Sequence, residues 1–78
     1  MDADRKELVH RLFVMATEVA EAAYDAAVSG QPTTASPAAL AAAAEDLCRH
    51  ADELRAIGRT ISIATGDETA EPPAQESS

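Results

Sequence analysis

Large apolar residues return at every seventh position in the second half of the chain: Leu40, Leu47, Leu54 and Ile61. Beside this large column runs a column of small residues: Ala44, Ala51 and Gly58. A seven-residue repeat keeps its members on one side of an α-helix, and small side chains let a neighbouring helix approach closely. The pattern predicts a long helix that packs tightly against another helix.

The first half of the chain has its own helical repeat, in steps of three and four. Its main stripe contains Leu8, Leu12, Met15, Val19, Ala22 and Ala26. Further apolar rows flank the stripe: Val9, Ala16 and Ala23 on one side, and Phe13, Ala20 and Ala27 on the other. Asp4 and Glu7 have capping-box spacing, and Ser29-Gly30 is typical of a helix end with a left-handed glycine. We expect a first helix over about residues 4–29.

A short polar segment, residues 30–36, separates the two patterns. Ser36-Pro37 favours a helix start, because serine caps the first turn and proline lacks an N–H that would be unpaired there. We expect the second helix over about residues 37–65, ending at Gly66. Residues 66–78 contain two prolines and four acids and no base. Their composition predicts a disordered acidic tail.

Two long helices and a short loop predict an all-α fold, a helical hairpin. Bulky apolar residues and all the bases lie towards the end of the hairpin away from the loop, which we call the open end. The loop end is rich in alanine and acids. Two hairpins with their loops at opposite ends would match bulky with small and basic with acidic, which predicts an antiparallel homodimer, a four-helix bundle. The predicted helix-packing residues are Leu8, Leu12, Met15, Val19, Leu40, Ala44, Leu47, Ala51, Leu54, Gly58 and Ile61.

In plan, this layout resembles that of Rop, an RNA-binding regulator of plasmid copy number that is also a hairpin dimer with its loops apart. The resemblance is one of layout and carries over no function and no residue. A hetero-oligomer competes with the homodimer, since the same stripe would also cover an apolar face of a larger protein, as antitoxins and secretion chaperones do.

Composition limits the classes of partner. The 78 residues carry a net charge of −8, which argues against direct nucleic-acid binding, because that needs clustered Lys and Arg. The charged start is unlike a signal peptide, and Gly30, Pro32 and Pro37 interrupt the longest uncharged run, so no membrane span is expected. We expect a cytoplasmic protein, and the alanine-rich composition suggests a bacterial one. Cys48, the single cysteine, is interpreted as buried filler, with a redox-sensitive link between subunits as the alternative.

Candidate chemistry is sparse. Glu7 and His10 have the Glu-x-x-His spacing of di-iron bundles, but both lie on the polar side and no further inward carboxylates accompany them. Three alternatives stay open beside the main interpretation: a di-metal site, a lipid or tetrapyrrole held between the bulky ends, and a nucleic-acid-associated regulator. No catalytic, cofactor-binding or metal-ligating residue is predicted, and no enzyme is expected.

His50 lies on the apolar side of the second helix, with Asp46 and Glu53 each one turn away. The simpler interpretation is a half-buried histidine that hydrogen-bonds Asp46. The sharper one makes His50 and Asp46 a pH-sensitive contact, for which association would change between pH 5 and 7.

These observations favour a small non-enzymatic protein–protein interaction module, a dimeric scaffold, adaptor or regulator. The sequence does not identify the partner, which is expected to be a second copy or another helical protein.

Overall fold

The protein is an all-helical hairpin. A computed structural model describes residues 1–69, with side chains described for residues 1–66. Helix α1 spans Ala3–Ser29 and helix α2 spans Pro37–Thr69, and the two pack against each other along their lengths. The predicted helical hairpin is therefore confirmed for the described residues, which contain no strand.

Helix α1 begins slightly before the predicted capping box. Asp2 is the N-cap, in extended backbone geometry, and its Oδ1 accepts a hydrogen bond from the Arg5 N–H at 2.7 Å. The earlier start places Asp4 within the first turn, where its negative charge interacts favourably with the positive end of the helix dipole. The prediction that Asp4 caps the helix was wrong, because Asp2 offers the same side chain two residues earlier.

The end of α1 also differs from the predicted glycine cap. Gly30 has φ −90° and ψ −2°, a right-handed conformation that any residue adopts. Its N–H donates to the Ala27 carbonyl at 3.2 Å, and the Gln31 N–H donates to the Val28 carbonyl at 3.0 Å. These tighter bonds pair the last carbonyls of the helix without a left-handed residue.

Helix α2 begins where Ser36-Pro37 predicts a start. The Ser36 Oγ accepts from the Ala39 N–H at 3.1 Å, and the Ser36 carbonyl accepts from the Leu40 N–H at 2.9 Å. Pro37 is the first helical residue, where its missing N–H costs nothing.

The far end of α2 extends beyond the predicted boundary. The helix continues through Gly66 to Thr69 instead of ending at residue 65, so residues 66–69 are not part of a disordered tail. Gly66 keeps a negative φ, since no described glycine has a positive one. A glycine inside a helix costs about 1 kcal/mol relative to alanine, which weakens a helix without ending it. The rest of the predicted tail, residues 70–78, lies outside the described residues.

The hairpin has almost no core of its own. Among the residues with described side chains, Ala26 is the single buried one, at 8% exposure. The shortest principal dimension of the molecule is 13 Å, about one helix diameter. The two helices form a single layer, and both broad faces of that layer are open.

Candidate interaction surface

Residues of the intramolecular interface follow helical spacing on both helices. On α1 the less exposed positions are Arg5, Val9, Leu12, Ala16, Val19, Ala22, Ala23 and Ala26. On α2 they are Ala43, Asp46, His50, Leu54, Ile57, Ile61, Ala64, Thr65 and Gly66. This interface contains only part of the large column, because Leu40 and Leu47 remain 43% and 39% exposed.

The division of the large column has a geometric cause. A seven-residue repeat falls short of two full helical turns, so each step rotates the side chain by about 20° around the helix. Leu40 and Leu47 therefore lie beside the intramolecular interface, while Leu54 and Ile61 rotate into it and are half-buried. One column thus serves two surfaces.

An open apolar groove marks the first broad face near the loop. It has a volume of about 280 Å³ and is lined by Ala26 and Ala27 of α1 and by Leu40, Ala44 and Leu47 of α2, with Gln31 at the loop. Its lining places Ala27 and Ala44 on the same face at similar heights. The groove offers a docking partner apolar contact and little hydrogen bonding.

Seven-residue steps from these groove residues extend the same face towards the open end. We call it the uncharged face; its residues are Phe13, Ala20, Ala27, Leu40, Ala44, Leu47, Ala51 and Gly58. Phe13 is 56% exposed there. The next seven-residue step beyond Phe13 is Lys6, which ends the uncharged series on α1, and Arg55 falls at the edge of the face on α2.

The opposite broad face mixes apolar and charged groups, and we call it the charged face. Leu8 and Met15, both 48% exposed, lie on it. Helical geometry places Arg11 and Glu18 beside them, together with the Asp46–Arg49 pair and Glu53 of α2. The Arg49 Nη2 and Asp46 Oδ1 are 2.8 Å apart, with more than half of each side chain exposed, so this pair contributes little stability.

The predicted packing residues therefore do not form one surface. Leu12, Val19, Leu54 and Ile61 lie in the intramolecular interface, Leu8 and Met15 on the charged face, and the remaining five on the uncharged face. Val9 and Ala16 lie in a flanking apolar row of the sequence, and Ile57 lies in register with His50, outside the main columns, although the hairpin uses all three. Their spacing from Ala23 and from His50 was the available signal.

Gly58 has open space around it within the hairpin. Apart from the two chain neighbours and the adjoining backbone of its own helix, no atom lies within 4 Å of a Cβ placed at this position. The same holds at Gly66. Helix α1 does not approach Gly58 closely. A helix that packs closely against Gly58 therefore has to belong to another chain.

The predicted hydrogen bond between His50 and Asp46 was wrong. His50 Nδ1 lies 3.1 Å from Glu53 Oε1, and the His50 side chain is 21% exposed, next to α1. Asp46 instead accepts a charge-assisted hydrogen bond from the Arg49 guanidinium, one turn away.

Other singled-out residues are solvent-facing. Cys48 is an exposed free thiol, so the expectation of a buried filler was wrong for the hairpin; it lies on the outer side of α2. The Glu7 Oε2 lies 3.4 Å from the Nη2 of Arg11, which is one helical turn further along the chain. Within the described residues, no group of three or more potential ligands is placed to hold a metal ion. Neither helix, in its described part, has a stretch apolar and long enough to cross a membrane.

The chain was compared with protein-family models, curated proteins and solved structures, and none of them matches it. The geometry of the hairpin is therefore the basis for a functional proposal.

Proposed function

We propose that the protein is a small non-enzymatic protein–protein interaction module, a dimeric scaffold, adaptor or regulator. The observation that carries this proposal is the missing core, with Ala26 alone buried among the residues whose side chains are described. Helices in water derive most of their stability from tertiary packing of an apolar face. A hairpin that leaves both broad faces open needs another protein surface to complete it.

A second copy is the first candidate for that surface. Stacking two single-layer hairpins gives a four-helix bundle, in which each layer covers the apolar residues of the other. Covering Leu40 and Leu47 contributes about 1 kcal/mol per side chain, since each is already partly shielded and full burial is worth about 1.5–3 kcal/mol.

The experiment that tests this function is far-UV circular dichroism across a dilution series with reducing agent present. Because folding depends on association, we expect helical signal to fall as the chain is diluted and to return on concentration. A signal that stays fully helical at every concentration, with a cooperative melt independent of concentration, would show that the hairpin needs no partner surface.

A larger, different protein is the second candidate partner. Four-helix stacking would leave some apolar residues on the outer sides of the helices, away from both broad faces: Val14, Val28 and Ile63. Ile63 is 79% exposed. An adaptor that first dimerises and then binds a target would contact the target through these residues. A chain that covers an apolar face of a larger protein would contact that face through them.

A further inference from the structure

We propose that a second copy of the chain docks on the uncharged face with its loop at the opposite end, so that α2 packs antiparallel on α2 of the second copy. This inference rests on the proposed function and adds its partner, its face and its geometry. A two-fold axis that crosses the hairpin perpendicular to the helices produces this arrangement, in which each helix meets its own copy.

The large and small columns of α2 mirror each other about position 49. Leu40 and Gly58 each lie nine residues from Arg49, on opposite sides; Leu47 and Ala51 each lie two residues away; Leu54 and Ala44 each lie five. On the uncharged face, an antiparallel copy centred at this height therefore places Leu40 against Gly58 and Leu47 against Ala51. Leu54, at the level of Ala44 of the second copy, lies in the intramolecular interface instead. The open space at Gly58 receives Leu40 of the second copy.

On the uncharged face of α1, a large and a small residue also lie at equal distances from a centre, which here is Ala20. Phe13 and Ala27 each lie seven residues from Ala20. With α1 antiparallel to its own copy, Phe13 of the second copy reaches the groove wall at Ala27, and Ala20 meets Ala20. The bulkiest residue of the face thus enters the groove near the loop.

One two-fold axis has to cross both helices at the same height, which gives a check. Ala27 and Ala44 line the same groove, and a Cβ at Gly30 would lie 3.7 Å from the Ala43 Cβ. Equal steps along both helices from these pairs bring Ala20 to the level of Ala51 or Glu53. The centre on α2, position 49, is two to four residues away, or about 3–6 Å at 1.5 Å per residue. The two centres agree within about one helical turn.

Charge favours the same orientation. Between Leu12 and Leu47 the chain carries five acids and no base: Glu18, Glu21, Asp25, Glu45 and Asp46. All six bases lie on helix segments nearer the open end. Over residues 1–69, seven acids accompany them there: Asp2, Asp4, Glu7, Asp52, Glu53, Asp67 and Glu68. Loops at opposite ends place the acidic half of one copy beside the basic groups of the other, whereas loops at the same end set acids against acids.

Size alone does not decide between the two orientations. Loops at the same end would stack α1 on α2 of the second copy at similar heights, which sets Ala27 near Ala44, Ala20 near Ala51 and Phe13 near Gly58. The alanine pairs leave gaps that lose van der Waals contact, whereas Phe13 on Gly58 does not. That arrangement keeps Leu40 and Gly58 about 27 Å apart, eighteen residues along the helix, so a contact between these two residues distinguishes the orientations.

The test mixes two single variants that are each defective alone. Gly58→Leu sets leucine against leucine, and we expect its homodimer to dissociate about tenfold or more readily because of overpacking. Leu40→Ala leaves a cavity at the same contact, with a loss of similar size. In a mixed dimer, the leucine side chain added by Gly58→Leu fills the space vacated by Leu40→Ala in the other chain. The second, symmetry-related contact of that dimer keeps native Leu40 and Gly58.

We therefore expect a mixed dimer at concentrations where neither variant forms its own, detected by native mass spectrometry through the different chain masses. Gly66→Leu mixed with Leu40→Ala is the matched control and is expected to give no such enrichment, since Gly66 has the same open surroundings but lies off the contact. Leucine is a better helix former than glycine, so Gly58→Leu keeps α2 helical, which circular dichroism checks.

Three results would overturn the inference. If the wild-type chain dimerises but mixing gives no enrichment, the docking geometry is wrong and the proposed function stands. If the wild-type chain is a monomer that is unfolded when alone, a second copy is not the partner, and the proposed function stands with a different protein. If it is a monomer that is fully helical at all concentrations, both the inference and the proposed function are wrong.

Discussion

The two broad faces of the hairpin expose similar apolar side chains but differ in charge. Met15 on the charged face and Leu47 on the uncharged face are 48% and 39% exposed. Around Met15 lie charged groups that would lose hydration if a partner covered them. The charges that adjoin the uncharged face, Lys6 and Arg55, lie near the open end, and none lies around Leu47 between Ala44 and Ala51 on this face. Exposure alone therefore does not identify a docking face; the cost of dehydrating its neighbours decides between the two.

The largest expected effect comes from placing a carboxylate on each face in turn. Leu47→Asp would bury an unpaired charge in the dimer, at a cost of several kcal/mol, and we expect dimerisation to be lost. Met15→Asp, its matched control, adds a charge that stays hydrated, and self-association should change less than about threefold, below 1 kcal/mol. Sedimentation velocity measures both. The reverse result would move the interface to the charged face.

Charge reversal at the loop end should have a smaller effect. Replacing Glu18, Glu21 and Asp25 together by lysine should weaken self-association by about 1 kcal/mol at low salt, because the acidic half then repels the bases of the second copy. The difference should shrink at high salt as the charges are screened. Unchanged association at low salt would show that this acidic group does not interact with the bases of a second copy and is available to bind a different protein.

A pair of glycine substitutions separates helix stability from docking. Gly66→Ala should stabilise the protein by up to about 1 kcal/mol, since alanine is the better helix former and nothing lies within 4 Å of the added Cβ. Gly58→Ala has the same gain within the hairpin but adds a methyl group on the uncharged face. We expect it to raise the dissociation constant of the dimer, whereas Gly66→Ala leaves that constant unchanged. Equal behaviour of the two variants would show that Gly58 makes no close contact.

The smallest expected effect concerns His50. Its Nδ1 lies 3.1 Å from the Glu53 Oε1. Glu53→Gln should cost no more than a few tenths of a kcal/mol, because roughly half of the Glu53 side chain is exposed. Urea unfolding of the variant and the wild-type chain measures this difference. A loss well above about 1 kcal/mol would show that the contact contributes more than an exposed pair does.

Much of the fold follows from local pattern. Ser36-Pro37 fixes the start of α2, and the steps of three and four define both helices, because caps and periodicity are local properties. The end of α2 was less predictable, since Gly66 lowers helix stability without terminating the helix. The choice between Asp2 and Asp4 as a cap depends on a difference too small for sequence to resolve.

The interaction surface was harder to predict than the helices. A column such as Leu40 to Ile61 looks like one face in sequence, yet its rotation by about 20° per step divides it between two surfaces. The partner of His50 depended on competition for Asp46 by Arg49. Side-chain competition and helix rotation are three-dimensional facts that a linear pattern does not contain.

The central claim is that the chain completes its core with a second copy of itself. Absolute molar mass by light scattering, under reducing conditions that keep Cys48 from cross-linking, tests it most directly. We predict a mass of twice 8.1 kDa at micromolar concentration and above. A mass of 8.1 kDa across that range would contradict the claim.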